Sequence, residues 1–353
     1  MNHSENAFRG SNQEYLPGLH SLQAKISNFT GKLAFEISTE DAQGRKFGNH
    51  GDSLMYEVFN RFLLESKISL VKDPKDADFL IVRPNGALLE SYQFPRILAE
   101  QLSNLPDVPL VIFPSSALFR TVDPSFMFGE RKSPTLWIFR EKYSFDQINA
   151  QWGSRLSRKH VEILLDHDIV ASGHKFVPDI LGTPLKENHI VVAGRIDIEA
   201  AKNFKRAATP SKKQTNSIFL RIKRRIVSAI SQNPDHLLNR IISNFIYGKR
   251  LRAAANDLLD ALPPEAQNMI ENHNSPIKMV DLSSQIFVTF EQYAKTIREA
   301  SIVVTDRLHV ALPAAIIGKQ VYLVEAGYHK LTGVYQQSLK SMPNVRLVDA
   351  YSE

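Results

Sequence analysis

Short apolar runs alternate with segments of helical periodicity along most of the chain, and this alternation restricts the fold more than any other feature. Leu33–Ile37, Ile68–Val71, Phe79–Val82, Leu110–Phe113, Leu136–Phe139 and Val161–Leu165 read as strands. Between them, Asp52–Glu65 and Leu89–Leu105 carry apolar residues at three- and four-residue spacing and read as helices, with Asp52 as the expected N-cap of the first. A second series follows. His189–Ala193, Ile277–Val280, Ile302–Thr305 and Val321–Val324 read as strands, a long helical stretch runs to about Leu262, and Thr289–Ala300 and Arg307–Ile317 read as helices. Strands alternating with helices imply parallel sheets covered on both faces. Pro178, Gly182 and Pro184 mark a boundary near 180–188. The expected organisation is a polar lead-in over 1–30, an N-terminal α/β domain over 31–185 and a C-terminal α/β domain over 186–353. These are two Rossmann-like domains facing a cleft, the second with a basic amphipathic helical segment over 200–250. Ligands of such sheets bind beyond the carboxyl ends of the strands, so the residues at those ends decide the function.

Composition removes several classes. With 353 residues, 43% hydrophobic and 23% charged, the chain has enough apolar material for ordinary cores, and disorder of the whole chain is excluded. No apolar run approaches the roughly 20 residues of a membrane span, and Met1–Tyr15 lacks the apolar core of a signal peptide, so a cytoplasmic protein is expected. There is no cysteine, which removes disulfides, thiolate nucleophiles and Cys-ligated zinc. No GxGxxG, GxxxxGK[ST] or HExxH pattern occurs at a useful place. Asp166-His167-Asp168 has the form of a DxD metal motif, but such short spacing arises often by chance, and no metal or other cofactor is expected. The net charge is +6, and from Ala200 to Pro234 nine Lys or Arg occur with no Asp or Glu. That charge fits a module for nucleic acid or anionic lipid, yet no stacking aromatic motif accompanies it, and nucleic acid is not an expected partner.

Four clusters fall at strand ends. Gly48-Asn49-His50-Gly51-Asp52 joins a strand to a helix; glycines admit close backbone approach and the helix N-terminus favours an anion. Arg140-Glu141-Lys142-Tyr143-Ser144 follows the fifth long run, and an arginine there suits a carboxylate or phosphate. Gly194-Arg195-Ile196-Asp197-Ile198-Glu199 repeats the arrangement in the second series. Ile302 to His309 carries an apolar strand directly into a helix whose first turn holds Arg307 and His309, one a bidentate cation and the other a proton donor or acceptor near neutral pH. Pro313 within that helix cannot bond to the carbonyl of His309, so the turn should bend. Each cluster also has a plainer explanation: a capped turn, a surface Arg–Glu pair, a charged helix start or a structural histidine.

Taken in order, these residues resemble the polysaccharide pyruvyl transferase family. The matching pieces are Gly48–Asp52, Arg140–Ser144, Asp166–Ala171, Arg195-Ile196-Asp197 and Thr305-Asp306-Arg307-Leu308-His309. Gly318-Lys319 and Tyr328-His329-Lys330 lie behind them. The chain departs from the pattern at Val82–Gly86, where relatives often carry a glycine run, and at Val310, where they usually have Gly. The resemblance implies a two-domain fold similar to GT-B glycosyltransferases and transfer of pyruvate, as a ketal, from phosphoenolpyruvate to a sugar of a cell-surface polysaccharide precursor. It gives donor-binding and catalytic roles to Arg307 and His309. Asp52 completes the expected catalytic set as base for the acceptor hydroxyl, and Arg195, Arg140, Asn49, Gly51, Lys330 and Ser115 form the expected substrate-binding set. The alternative is a GT-B glycosyltransferase using a nucleotide sugar. The expected partners are phosphoenolpyruvate and a lipid-linked oligosaccharide. Residues 217–247, where Ile218, Ile222, Ile226 and Ile230 form one stripe flanked by Arg221, Lys223, Arg224 and Arg225, would contact the inner membrane surface, unless that stripe packs on the second domain.

Overall fold

The computed structural model describes residues 21–37, 49–183, 185–196, 237–285, 287–325 and 330–349. The lead-in up to residue 20, Gly48, Asp197, the basic stretch as far as residue 236, Tyr328 and His329 lie outside them, as do the side chains of 237–245. The chain divides into two compact units. The first comprises Met1–Gly48, Asp52–Ile180 and Thr332–Pro343, and the second Asn49–Gly51, Leu181–Leu331 and Asn344–Glu353.

In the first unit the strands are β1 (Leu33–Glu36), β2 (Ser69–Leu70), β3 (Phe79–Val82), β4 (Asn85–Leu89), β5 (Leu110–Leu118), β6 (Thr135–Phe139) and β7 (Val161–Leu165). The main helices are α1 (Ser21–Ile26), α2 (His50–Glu65, whose first two residues, His50 and Gly51, belong to the second unit), α3 (Phe94–Ser103), α4 (Lys142–Arg158), α5 (Ile169–Ser172) and α6 (Val177–Leu181). The sheet is parallel in the order β2-β1-β3-β5-β6-β7, with β4 also paired to β5. Its strands β3, β5 and β6 are buried almost throughout, which is why they are legible as unbroken apolar runs. Leu80, Ile112, Trp137 and Phe139 from the sheet pack with Leu98, Leu102, Ile148 and Leu156 from α3 and α4.

The second unit has β8 (His189–Ala193), α7 (Leu237–Asp260), α8 (Pro264–Glu271), β9 (Ile277–Met279), α9 (Phe290–Glu299), β10 (Ala300–Thr305), α10 (Leu308–Ile316), β11 (Gln320–Glu325), α11 (Lys330–Val334) and β12 (Val345–Asp349). Its sheet is parallel, ordered β12-β11-β10-β8-β9. The chain leaves β8 toward β9 on one side and leaves β10 toward β11 on the other. The order therefore reverses between β8 and β10, the topological position at which open α/β sheets bind ligands. Ala255, Leu258 and Leu262 pack on Ile190, Val192, Ile302 and Val304.

Three expectations are corrected. Leu89 ends β4 rather than opening a helix, and α3 starts at Phe94 with Pro95 in its first turn. Asp52 is not the cap of α2: the helix begins at His50, and the Asn49 side chain accepts from the Gly51 N–H at 2.8 Å. Arg140 and Ser115 are not open strand-end groups. Arg140 is 1% exposed, donates through Nε to Ser116 Oγ at 2.8 Å and through Nη1 to Asp168 Oδ2 at 2.8 Å. Ser115 is buried, donating to Ile138 O at 3.2 Å and accepting from the Trp137 indole at 3.1 Å. Asp168 in turn caps α5 through the Val170 N–H at 2.9 Å, and Asp166 accepts from the His167 N–H at 2.7 Å, so both carboxylates of that motif serve the fold.

Removing one partner of a buried ion pair leaves the other charge stranded. Arg140→Met is therefore expected to lower unfolding free energy by about 3–5 kcal/mol, measured by urea denaturation. A loss below about 1 kcal/mol, the scale of an exposed pair, contradicts this role.

Candidate functional site

The chemistry of the second unit gathers where its strand order reverses. Thr305, the last residue of β10, donates its hydroxyl to Ala193 O at 2.7 Å and accepts from the Arg307 N–H at 3.0 Å, pinning the end of β10 to the end of β8. One residue on, Asp306 Oδ1 accepts from the Arg195 backbone N–H at 3.0 Å. These bonds extend the strand pairing past the sheet and hold Arg195 and Arg307 at the adjoining carboxyl ends. Gly194 permits this: a Cβ there would lie 3.1 Å from the backbone of Ala254 on α7.

Arg307 is held from a third strand end. Its Nη2 donates to Asp281 Oδ2 at 2.6 Å, just beyond β9, and Asp281 Oδ1 accepts from the Ser283 N–H at 3.2 Å. Both partners are buried. An ionised carboxylate fixes a guanidinium's plane through charge-assisted bonds. Asp281 was not among the expected site residues, although it occupies the same strand-end position that singles out Arg195 and Arg307.

Arg307 is also the N-cap residue of α10. An arginine has no acceptor with which to cap a helix, and its charge opposes the positive end of the helix dipole. Local rules of sequence are broken here, as they are broken at functional sites.

His309, in the first turn, has φ −85° and ψ 19°, outside the helical region, and is partly exposed. Tyr293 of α9 donates its hydroxyl to the His309 carbonyl. The start of α2 packs against the same residue. A Cβ on Gly51 would lie 2.7 Å from His309 Cβ and 2.9 Å from Asn49 Oδ1, so only glycine fits there without displacement. That segment is anchored by the His50 N–H donating to Ser283 O at 2.9 Å and by the His50 ring against Val288 O at 2.7 Å.

The structure thus gathers Asn49, Gly51, Arg195, Arg307 and His309 in the second unit. Lys330 opens α11, partly exposed. Asp52 lies in the first turn of α2, next to Gly51 in sequence. Arg140 and Ser115 belong to the interior of the first unit. Among the described residues no group of three His, Asp or Glu is arranged to hold a metal ion, and no helix is long and apolar enough to cross a membrane.

No protein-family model matches the chain, and no curated protein matches it. Among solved structures it is similar to a functionally uncharacterised protein of Klebsiella pneumoniae subsp. pneumoniae. The TM-score is 0.52 and the identity 14%, over 96% of this chain and 99% of that chain. The likeness concerns the α/β fold.

Asp306 is the most perturbed acid of the site. Burial raises its carboxyl to about 6, Arg307 and then Arg195 pull it back, and Asp281 pushes it further up. Because the folded value lies above the ordinary 3.8, the native state holds this proton more tightly than the unfolded chain. Its contribution to stability is fully present below about pH 4 and is lost as pH rises through about 6. Urea unfolding across that range should show the fall, and Asp306→Asn should flatten it. The same slope in both proteins contradicts the assignment.

Proposed function

We propose that this protein is a pyruvyl transferase that moves the pyruvyl group of phosphoenolpyruvate onto a sugar of a cell-surface polysaccharide precursor as a ketal, on a two-domain fold of the GT-B kind. The observation that carries the reading is the arginine at the start of α10. Arg307, held on one side by Asp281, stands with Arg195 and the first N–H groups of α10 at adjoining strand ends, and this concentration of positive donors at a helix start suits an anion. Phosphoenolpyruvate brings two anionic groups a few ångströms apart, and Arg195, Arg307 and the first N–H groups of α10 offer a matching set of donors. The same donors serve the transition state by taking up charge on the departing phosphate.

His309 is the general acid on this reading. Its proton goes to C3 of the enol, C2 becomes electrophilic, and one sugar hydroxyl adds there. The C2–O bond to phosphate breaks, and a second hydroxyl of the same sugar closes the ring, releasing inorganic phosphate. Asp52 is the proposed base for the acceptor hydroxyl, and Lys330 a further cation for the donor. The acceptor is a lipid-linked oligosaccharide at the inner face of the cytoplasmic membrane, approached through residues 217–247. Arg140 and Ser115 have no part in this scheme, since their polar groups are bonded inside the first unit.

The test is incubation of the full chain with phosphoenolpyruvate and lipid-linked oligosaccharides, read by mass spectrometry and phosphate release. The expected product gains the mass of one pyruvic acid less one water and appears with equimolar phosphate. Arg307→Ala should weaken donor binding by about 1.5–3 kcal/mol, the value of a hydrogen bond to a charged group. His309→Ala should lower turnover far more than donor affinity. A His309→Ala protein with wild-type turnover contradicts the acid role. Consumption of a nucleotide sugar in place of phosphoenolpyruvate would make the chain a glycosyltransferase.

A further inference from the structure

The His309 backbone carries a feature that the proposed chemistry leaves unused. In an unbroken helix its carbonyl would accept from the N–H four residues on, but that residue is Pro313, which has none and whose ring crowds the carbonyl at i−4. A carbonyl shielded from water and left without a donor is destabilising. The fold supplies a donor from another element: the Tyr293 hydroxyl of α9 bonds this carbonyl.

Tyr293 is well suited to the task. It is fully buried, at 0% exposure, and a buried phenol requires a partner for its hydroxyl. Burial pushes its ionisation upward, so it remains a donor throughout the working pH range. Its ring stacks on Phe290 with centroids 5.5 Å apart and lies 5.8 Å from the ring of His50. The start of α9 is fixed by a reciprocal cap, in which Thr289 Oγ1 accepts from the Gln292 N–H at 3.0 Å and the Gln292 side chain accepts from the Thr289 N–H at 2.9 Å.

We infer that Tyr293 and Pro313 act together as a clamp that holds His309 out of helical register and so aims its ring, making Tyr293 a positioning residue for the acid. Proline withholds the bond that would draw His309 into the helix, and tyrosine supplies the one that fixes it outside. Gly51, packed on His309 Cβ, closes the third side. The catalytic consequence rests on the reading of His309 as acid; the conformational claim does not.

Tyr293→Phe removes only the hydroxyl. It should lower kcat by about 10- to 100-fold, the scale of an ångström of misplacement, with KM for phosphoenolpyruvate changed by less than about threefold. It should also move the His309 ring signals in the NMR spectrum, identified by their loss in His309→Ala. The double variant Tyr293→Phe/Pro313→Ala restores an N–H at 313, so the helix can satisfy the carbonyl itself. Stability should then return while kcat stays low and the His309 signals stay displaced, because His309 becomes helical. A merely structural tyrosine would give recovery of both. If Tyr293→Phe does not fold, the double variant alone decides: displaced His309 signals support the clamp, and wild-type signals overturn it. If the wild-type protein transfers no pyruvyl group, the functional reading fails, and the clamp is judged by the ring signals alone. Unchanged signals and unchanged kcat in Tyr293→Phe overturn it.

Discussion

Everything in the second unit's site depends on a helix that starts with the wrong charge. Arg307 stands where an acceptor side chain belongs, at the positive end of α10, and the surrounding structure consists of devices that make this tolerable. Asp281 supplies a counter-charge from the end of β9, and Thr305 supplies the acceptor for the Arg307 N–H that an ordinary cap would have left to chance. Asp306 turns toward β8 and holds the Arg195 loop. The result is a guanidinium fixed at the start of a helix, and on the proposed reading it is preorganised for an anion rather than assembled by one. Preorganisation of this kind is what makes such dipoles effective, because no reorganisation is needed when charge develops.

The two units use the same pair of side chains for opposite ends. In the first, Arg140 and Asp168 bury one another completely, and Ser116 takes the remaining Nε bond. Asp168 is further spent on the α5 cap. In the second, the Arg307–Asp281 pair lies at a reversal of strand order, where general topology opens a crevice for ligands, with the N–H groups of a new helix beside it. A buried ion pair is weak support for stability in either case. What separates the two pairs is their position in the topology.

The strands are legible because a parallel sheet covered on both faces needs runs that are apolar at every position, and Phe79–Val82, Leu110–Phe113 and Leu136–Phe139 are such runs. β4 is hidden because Pro84 stands just before it and Gly86 lies within it, and β12 because Arg346 and Asp349 break its apolar run. The reversal pair Arg195 and Arg307 was legible from the rule that ligands sit at strand ends. Whether a strand-end arginine faces outward was not: Arg140 is claimed by Asp168, 28 residues on, and no local pattern reports that. Asp281 could have been found by applying the strand-end rule to the run Ile277–Val280. Tyr293 could have been anticipated only in kind, since Pro313 demands a donor for the His309 carbonyl but does not say which residue gives it. Asn49 displaced Asp52 as the cap because its side chain reaches the N–H two residues on, while Asp52 is already inside the helix.

The central claim is that the junction of β10 and α10, flanked by Arg195 and Arg307, is an anion site for the donor. A crystal structure of the full chain with phosphoenolpyruvate tests it most directly. The account predicts density for the phosphate at the Leu308 and His309 N–H groups, within hydrogen-bond reach of the Arg307 guanidinium, with the carboxylate toward Arg195. An empty junction at saturating donor, or the donor seated elsewhere in the chain, would contradict it.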